Sequence, residues 1–220
     1  MARLTDNGTL LALGAVGLTA AAGAFARRGS RSLAPASGEA LQGLLAVLRA
    51  MQISIHEGHW IVSGSTFYGD HQLLQRLYAG GDGSPALQDE IDTLGERIVA
   101  YAGPSFVDSR VVTEKALRLI EAWQSASSNP ITQALHAEES LQLALRAVYD
   151  ALKASGELSL GLDDFLMAMA DAHDTNRYLL RQRTAGTGSA ARRPAAARRT
   201  AEPPRDLSVQ AFSLRHRGSR

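Results

Sequence analysis

The chain has 220 residues, 45% of them hydrophobic but only 5% aromatic, and it contains no cysteine. Disulfides, thiolate metal sites and cysteine nucleophiles are thereby excluded, so any metal must be held by His, Asp, Glu or backbone oxygen. The formal net charge of +1 conceals an asymmetry: residues 181–220 hold ten arginines against Glu202 and Asp206, about +8, leaving about −7 on an acidic remainder.

The first apolar stretch, Leu10–Ala26, carries no charge and is followed by Arg27, Arg28 and Arg31. It falls just short of the roughly 20 residues a membrane-crossing helix needs. It reads as a marginal membrane anchor with the domain on the cytoplasmic side, as a cleaved signal peptide, or as an apolar helix or flexible tail. Residues 1–35 form this segment and its linker. From residue 36 the apolar periodicity is helical: Leu41, Leu44, Leu45, Leu48, Met51, Gln52 and Ile55 recur at three- and four-residue steps. The stretch Gly64–Gly69 breaks this first helix, and Asp70 is placed to cap a second. Gly80–Pro85 interrupts that second helix, which resumes through Leu87, Ile91, Leu94, Ile98 and Tyr101 to Gly103-Pro104. A short helix follows, with Thr113 as its expected cap and Leu117, Ile120 and Trp123 on one side. Asn129-Pro130 opens the next long helix, proline being suited to the first helical position. Its stripe is Leu135, Glu138, Leu141, Leu145, Val148 and Leu152. After Gly156 and Gly161 a last helix carries Phe165, Met169, Ala172, Asn176 and Leu179. No strand and no internal repeat are evident. The expected fold is all-α, an antiparallel four-helix bundle over residues 36–183 with a short extra helix between the second and third long helices.

From Thr184 the chain is Ala-, Gly-, Pro- and Arg-rich, a composition that predicts a disordered basic tail over 184–220. The pairs Arg192-Arg193 and Arg198-Arg199 suit phosphate neutralisation on DNA or an anionic membrane surface, although a tail serving solubility alone has the same composition. Residues 207–214 (LSVQAFSL) form an apolar island that could dock to a partner, and they loosely resemble the cargo-loading tails of encapsulated ferritin-like proteins.

Histidines and carboxylates carry the chemical signal. His59 continues the apolar stripe of the first helix, where a buried imidazole is either hydrogen-bonded or metal-bound. Asp92 and Glu96 are four residues apart and share a helical face nearly opposite Leu87, Ile91, Leu94 and Ile98. Taken alone they make a solvated face. His56 precedes His59 by one helical turn, and Glu57 and Glu90 read as bystanders.

Together these residues resemble the Dps family of mini-ferritins. His59-Trp60, Val62, Gly64, Phe67 and His71 are similar to the family's first-helix signature, with His71 twelve residues after His59. Asp92–Arg97 resembles its D-x-x-x-E-R segment, and His173-Asp174 through Tyr178-Leu179-Leu180 resembles the end of its last helix. The resemblance implies a ferritin-like antiparallel four-helix bundle that assembles into a homo-oligomer, a dodecamer by family analogy. It also implies an intersubunit site for iron, with His59 and His71 from one subunit and Asp92 and Glu96 from its two-fold mate. Such a site would oxidise Fe(II) with peroxide or O2, store the ferric product and protect a cytoplasm from oxidative damage. Trp60 would be a sacrificial electron donor or simple packing. Two departures stand out. The position one helical turn after His71, an Asp in the family, is Gln75, a neutral and poorer ligand. The spacing from His71 to Asp92 is also lengthened by the Gly-rich segment at 80–85. His56 and Gln75 are the further candidate ligands. The competing expectation is a catalytically degenerate scaffold that binds DNA through its tail, or docks to a shell or membrane.

Overall fold

The computed structural model describes residues 32–81 and 84–189, with side chains as far as residue 185. Its helices are α1 (Pro35–Ile61), α2 (Phe67–Ala79), α3 (Leu87–Tyr101), α4 (Ser109–Ala126), α5 (Pro130–Ala154) and α6 (Leu160–Ser189), with a 3-10 turn at Pro104–Val107. Among the described residues the β pairing is confined to a bridge between Gly81 and Ser84. The expected all-α bundle is present: α1, the broken arm α2–α3, α5 and α6 are its four members, and α4 is the extra helix.

The apolar stripes account for the packing. Leu41, Leu44, Leu48, Met51 and Ile55 of α1 are completely or almost completely buried, as are Leu87, Leu94 and Ile98 of α3 and Leu141 and Leu152 of α5. Helix α1 therefore packs against α2, α3, α4 and α5, while α6 lies on α5. Cross-links set the directions. Gln52 of α1 bonds Gln88 of α3, and Leu33 N donates to Tyr101 O, so α1 and α3 run antiparallel. The Ala34 N–H at the start of α1 donates to Glu157 Oε1 just beyond the end of α5. That remote carboxylate, which also accepts from Ser37 Oγ, caps α1 in place of a local N-cap side chain.

Several boundaries differ from expectation. Helix α4 begins at Ser109, ahead of Thr113, because the Asp108 carboxylate accepts the Arg110 N–H and caps it. Helix α2 begins at Phe67, so Asp70 lies within its first turn and is no cap. Its buried carboxylate instead takes Thr66 Oγ1 at 2.7 Å and a two-pronged contact from Arg183 of α6 at 2.6 and 2.9 Å. Helix α6 continues to Ser189, past the expected start of the tail at Thr184. Residues 10–26, the arginine pairs at 192–193 and 198–199, and the 207–214 island lie outside the described residues. Among the described residues no helix is long and apolar enough to cross a membrane.

The break between α2 and α3 is a Gly-rich turn. Gly80 and Gly81 take φ values of +78° and +133°, in the region that favours glycine. Polar contacts then fasten this arm to α6 along its length: Asp70 to Arg183, Ser84 to Asn176, Glu90 to His173, and Arg97 to the Gly161 carbonyl and the Phe165 ring face. Residue numbers rise on one side as they fall on the other, the mark of an antiparallel pair.

Candidate metal centre

His59 comes from the last turn of α1 and His71 from the second turn of α2. Gly64, at φ +92°, turns the chain between them and lets the two helix ends face each other. The rings stack with centroids 3.7 Å apart and planes inclined by 25°. Each Nδ1 lies 3.0 Å from the other residue's backbone carbonyl oxygen. A carbonyl only accepts, so both Nδ1 atoms carry the hydrogen and donate it. In the neutral rings both Nε2 atoms therefore keep a lone pair, the tautomer a metal ligand needs. His59 is buried and His71 half-buried.

Asp92 and Glu96 are exposed on α3, as expected from their position opposite its apolar stripe. They line a groove of about 800 Å³ whose other walls include Gln52 and Ile53 of α1, Val99 of α3 and Val112 of α4. The two histidines are not among its lining residues. Among the described residues of a single chain, no three His, Asp or Glu side chains are disposed to hold one metal ion. The four candidate ligands thus form two separate pairs, imidazoles in one place and carboxylates in another. Gln75 is exposed on α2. The His56 ring lies 6.3 Å from that of His59, between Trp60 and Tyr78.

A second cluster was missed in the sequence. Glu90, read there as a bystander, is buried in the bundle beside His173 and Glu138. His173 Nδ1 is 2.7 Å from Glu138 Oε2 and its Nε2 is 3.0 Å from Glu90 Oε2. Burial disfavours the charged ring, but the charge and hydrogen bond of Glu138, followed by those of Glu90, outweigh it and raise His173 to about 10. At neutral pH the imidazolium donates from both nitrogens and fastens α3, α5 and α6 together. With both nitrogens engaged, this ring has no free lone pair, and Glu138 Oε1 is left without a hydrogen-bond partner. One signal was available beforehand: Glu138 sits on the apolar stripe of α5, where an ionised side chain needs a partner.

The chain is 26% identical over 131 residues to the DNA protection during starvation protein of Brevibacillus brevis, a match covering 56% of this chain and 75% of that protein. It is 35% identical over 75 residues to DNA protection during starvation protein 2 of Deinococcus radiodurans, covering 34% of this chain and 28% of that relative's length. Among solved structures it is similar to DpsC from Streptomyces coelicolor, with a TM-score of 0.52 and 20% identity over 67% of this chain and 83% of that one. At that identity the structural likeness speaks for the fold alone. No protein-family model matches the chain. In sequence and in fold the protein is Dps-like, with a ferritin-type helical bundle.

Proposed function

We propose that this protein takes up Fe(II) and oxidises it with peroxide or O2 at sites shared between two copies of the chain, storing the ferric product inside the assembly. The observation that carries this reading is the reciprocal pairing of His59 and His71, which holds both Nδ1 hydrogens on backbone carbonyls and leaves both Nε2 lone pairs for a cation. Two imidazoles alone are a poor set for the Fe(III) product, which prefers hard oxygen ligands. Asp92 and Glu96 would supply those oxygens, and their exposure on α3 supports a role toward a second copy. A two-fold axis would then place the histidines of each copy against the carboxylates of the other, giving two equivalent sites per pair. Apolar groups flank the acidic pair, with Ile53 and Val99 nearly half exposed, as suits a surface covered by a partner.

Anaerobic Fe(II) loading followed by peroxide, read by ferric absorbance, tests the activity. His59→Ala and Asp92→Asn should each abolish it. Co-refolding the two variants one to one should restore about a quarter of wild-type sites, because half the pairs are mixed and each mixed pair holds one intact site. A site built within one chain would give no recovery, and absence of ferric product in the wild type would overturn the reading altogether.

A further inference from the structure

The start of α2, which carries His71, is fastened to the bundle by a charge. Asp70 directly precedes His71, and its residue is 6% exposed. Arg183, near the end of α6, donates from Nε to Oδ1 at 2.6 Å and from Nη2 to Oδ2 at 2.9 Å. Thr66, at the start of α2, donates its hydroxyl to the same Oδ2 at 2.7 Å. Residues 63–69 are all exposed, so Asp70 is the first buried residue after the Gly64 turn. The next, Leu74, lies one helical turn on, beyond His71. The first turn of α2 is therefore anchored by an ion pair with α6 where apolar burial is lacking.

That turn sets the imidazoles. His59 Nδ1 keeps its hydrogen on the His71 carbonyl, at 3.0 Å, only while residue 71 stays in place. The reverse bond, from His71 Nδ1 to the His59 carbonyl, has the same requirement. We propose that Arg183 is a positioning residue for the candidate metal centre, acting through Asp70 to keep His71 in register with His59; this rests on the histidine pair of the ferroxidase reading. Without the guanidinium, a buried carboxylate is left uncompensated, which is a costly state. Its cheapest relief is to unwind the exposed first turn of α2 and return Asp70 to water. His71 then leaves the His59 ring, both Nδ1 hydrogens lose their acceptors, and the tautomer that frees Nε2 is no longer enforced. Charge alone has the opposite sign, because removing a cation from beside the site favours binding of a metal cation. A loss of affinity therefore reports geometry.

The test titrates Co(II), a stand-in for Fe(II), into the full-length assembled protein under argon and follows its visible absorbance. Wild type should bind saturably and His59→Ala should not. Arg183→Gln should weaken binding about tenfold or more, the usual cost of losing a group that orients a metal-bound histidine. Magic-angle-spinning NMR of the metal-free protein, isotope-labelled in its histidine nitrogens, should show His59 protonated on Nδ1 in wild type and on either nitrogen in Arg183→Gln. Arg183→Lys, the milder change, keeps the charge and should lie between the two. Glu90→Gln also loosens the arm from α6, at the His173 bond, and should leave both readouts as in wild type. Equal or tighter Co(II) binding in Arg183→Gln, an unchanged His59 tautomer, or the same loss in Glu90→Gln would overturn the proposal. Failure of the wild type to bind, or binding undiminished in His59→Ala, would overturn the ferroxidase reading and this proposal with it.

Discussion

His173 illustrates what one buried ring does between two carboxylates. Its protonated state is favoured in the fold up to about pH 10, against an ordinary value of 6.5. A group whose folded value is raised contributes stability that is complete below the ordinary value and is lost as pH climbs to the folded one. The melting temperature should therefore decline between about pH 6.5 and 10, measured by circular dichroism, and the Glu90→Gln/Glu138→Gln double variant should flatten that slope. A slope unchanged in the double variant would mean that other groups carry it. His173→Leu leaves two carboxylates facing each other without a cation, and should cost about 3–5 kcal/mol, the usual penalty for breaking a buried charge pair. At this scale the sequence was half legible. Glu138 interrupts an apolar stripe and so demands a partner, but Glu90 precedes Ile91 on an otherwise amphipathic helix and looks like any first-turn acid. Its burial comes from the way α6 closes over α3, a tertiary fact with no local signature.

Among the elements, the broken arm is the distinctive one. Periodicity located the break, since Gly80–Pro85 cannot sustain a helix, and α2 and α3 lie on either side of it. Glycine is required there for two reasons. Gly80 has φ +78°, and a Cβ on it would come within 2.7 Å of the Ala86 backbone nitrogen. Gly80→Ala should therefore destabilise the protein by about 1–3 kcal/mol, the cost of a strained backbone, before any clash is counted. Gly43, in the middle of α1, makes the contrast: a Cβ there meets nothing within 4 Å. Gly43→Ala should raise stability by about 0.4–1 kcal/mol by narrowing the unfolded ensemble. Urea denaturation of the two variants checks both signs, and a stabilised Gly80→Ala would show that the turn tolerates a side chain. Helix starts were less legible than this break. Thr113 and Asp70 are both reasonable caps by residue type, yet Asp108 captures the start of α4 and Arg183 draws Asp70 into the interior. Side chains from distant helices decide such competitions, and local propensity does not register them.

For the whole molecule, the decisive feature is the separation of the two pairs of candidate ligands. The residue types and their spacing were readable, and the exposure of Asp92 and Glu96 followed from helical phase. A second copy is a different matter, because no pattern within one chain specifies the surface that would complete its site. Ile53 and Val99 bear on that surface: both border the acidic groove, at 48% and 44% exposure, and neither is among the candidate ligands. Placing a charge on each should disfavour burial against a mate while leaving the bundle core untouched, since a desolvated unpaired charge costs several kcal/mol. The Ile53→Glu/Val99→Glu variant should therefore sediment as a smaller species with wild-type helicity. If the site is shared, its ferric yield after peroxide should fall together with the assembly, at least tenfold. A variant that stays dissociated yet oxidises Fe(II) at the wild-type rate would place the whole site within one chain.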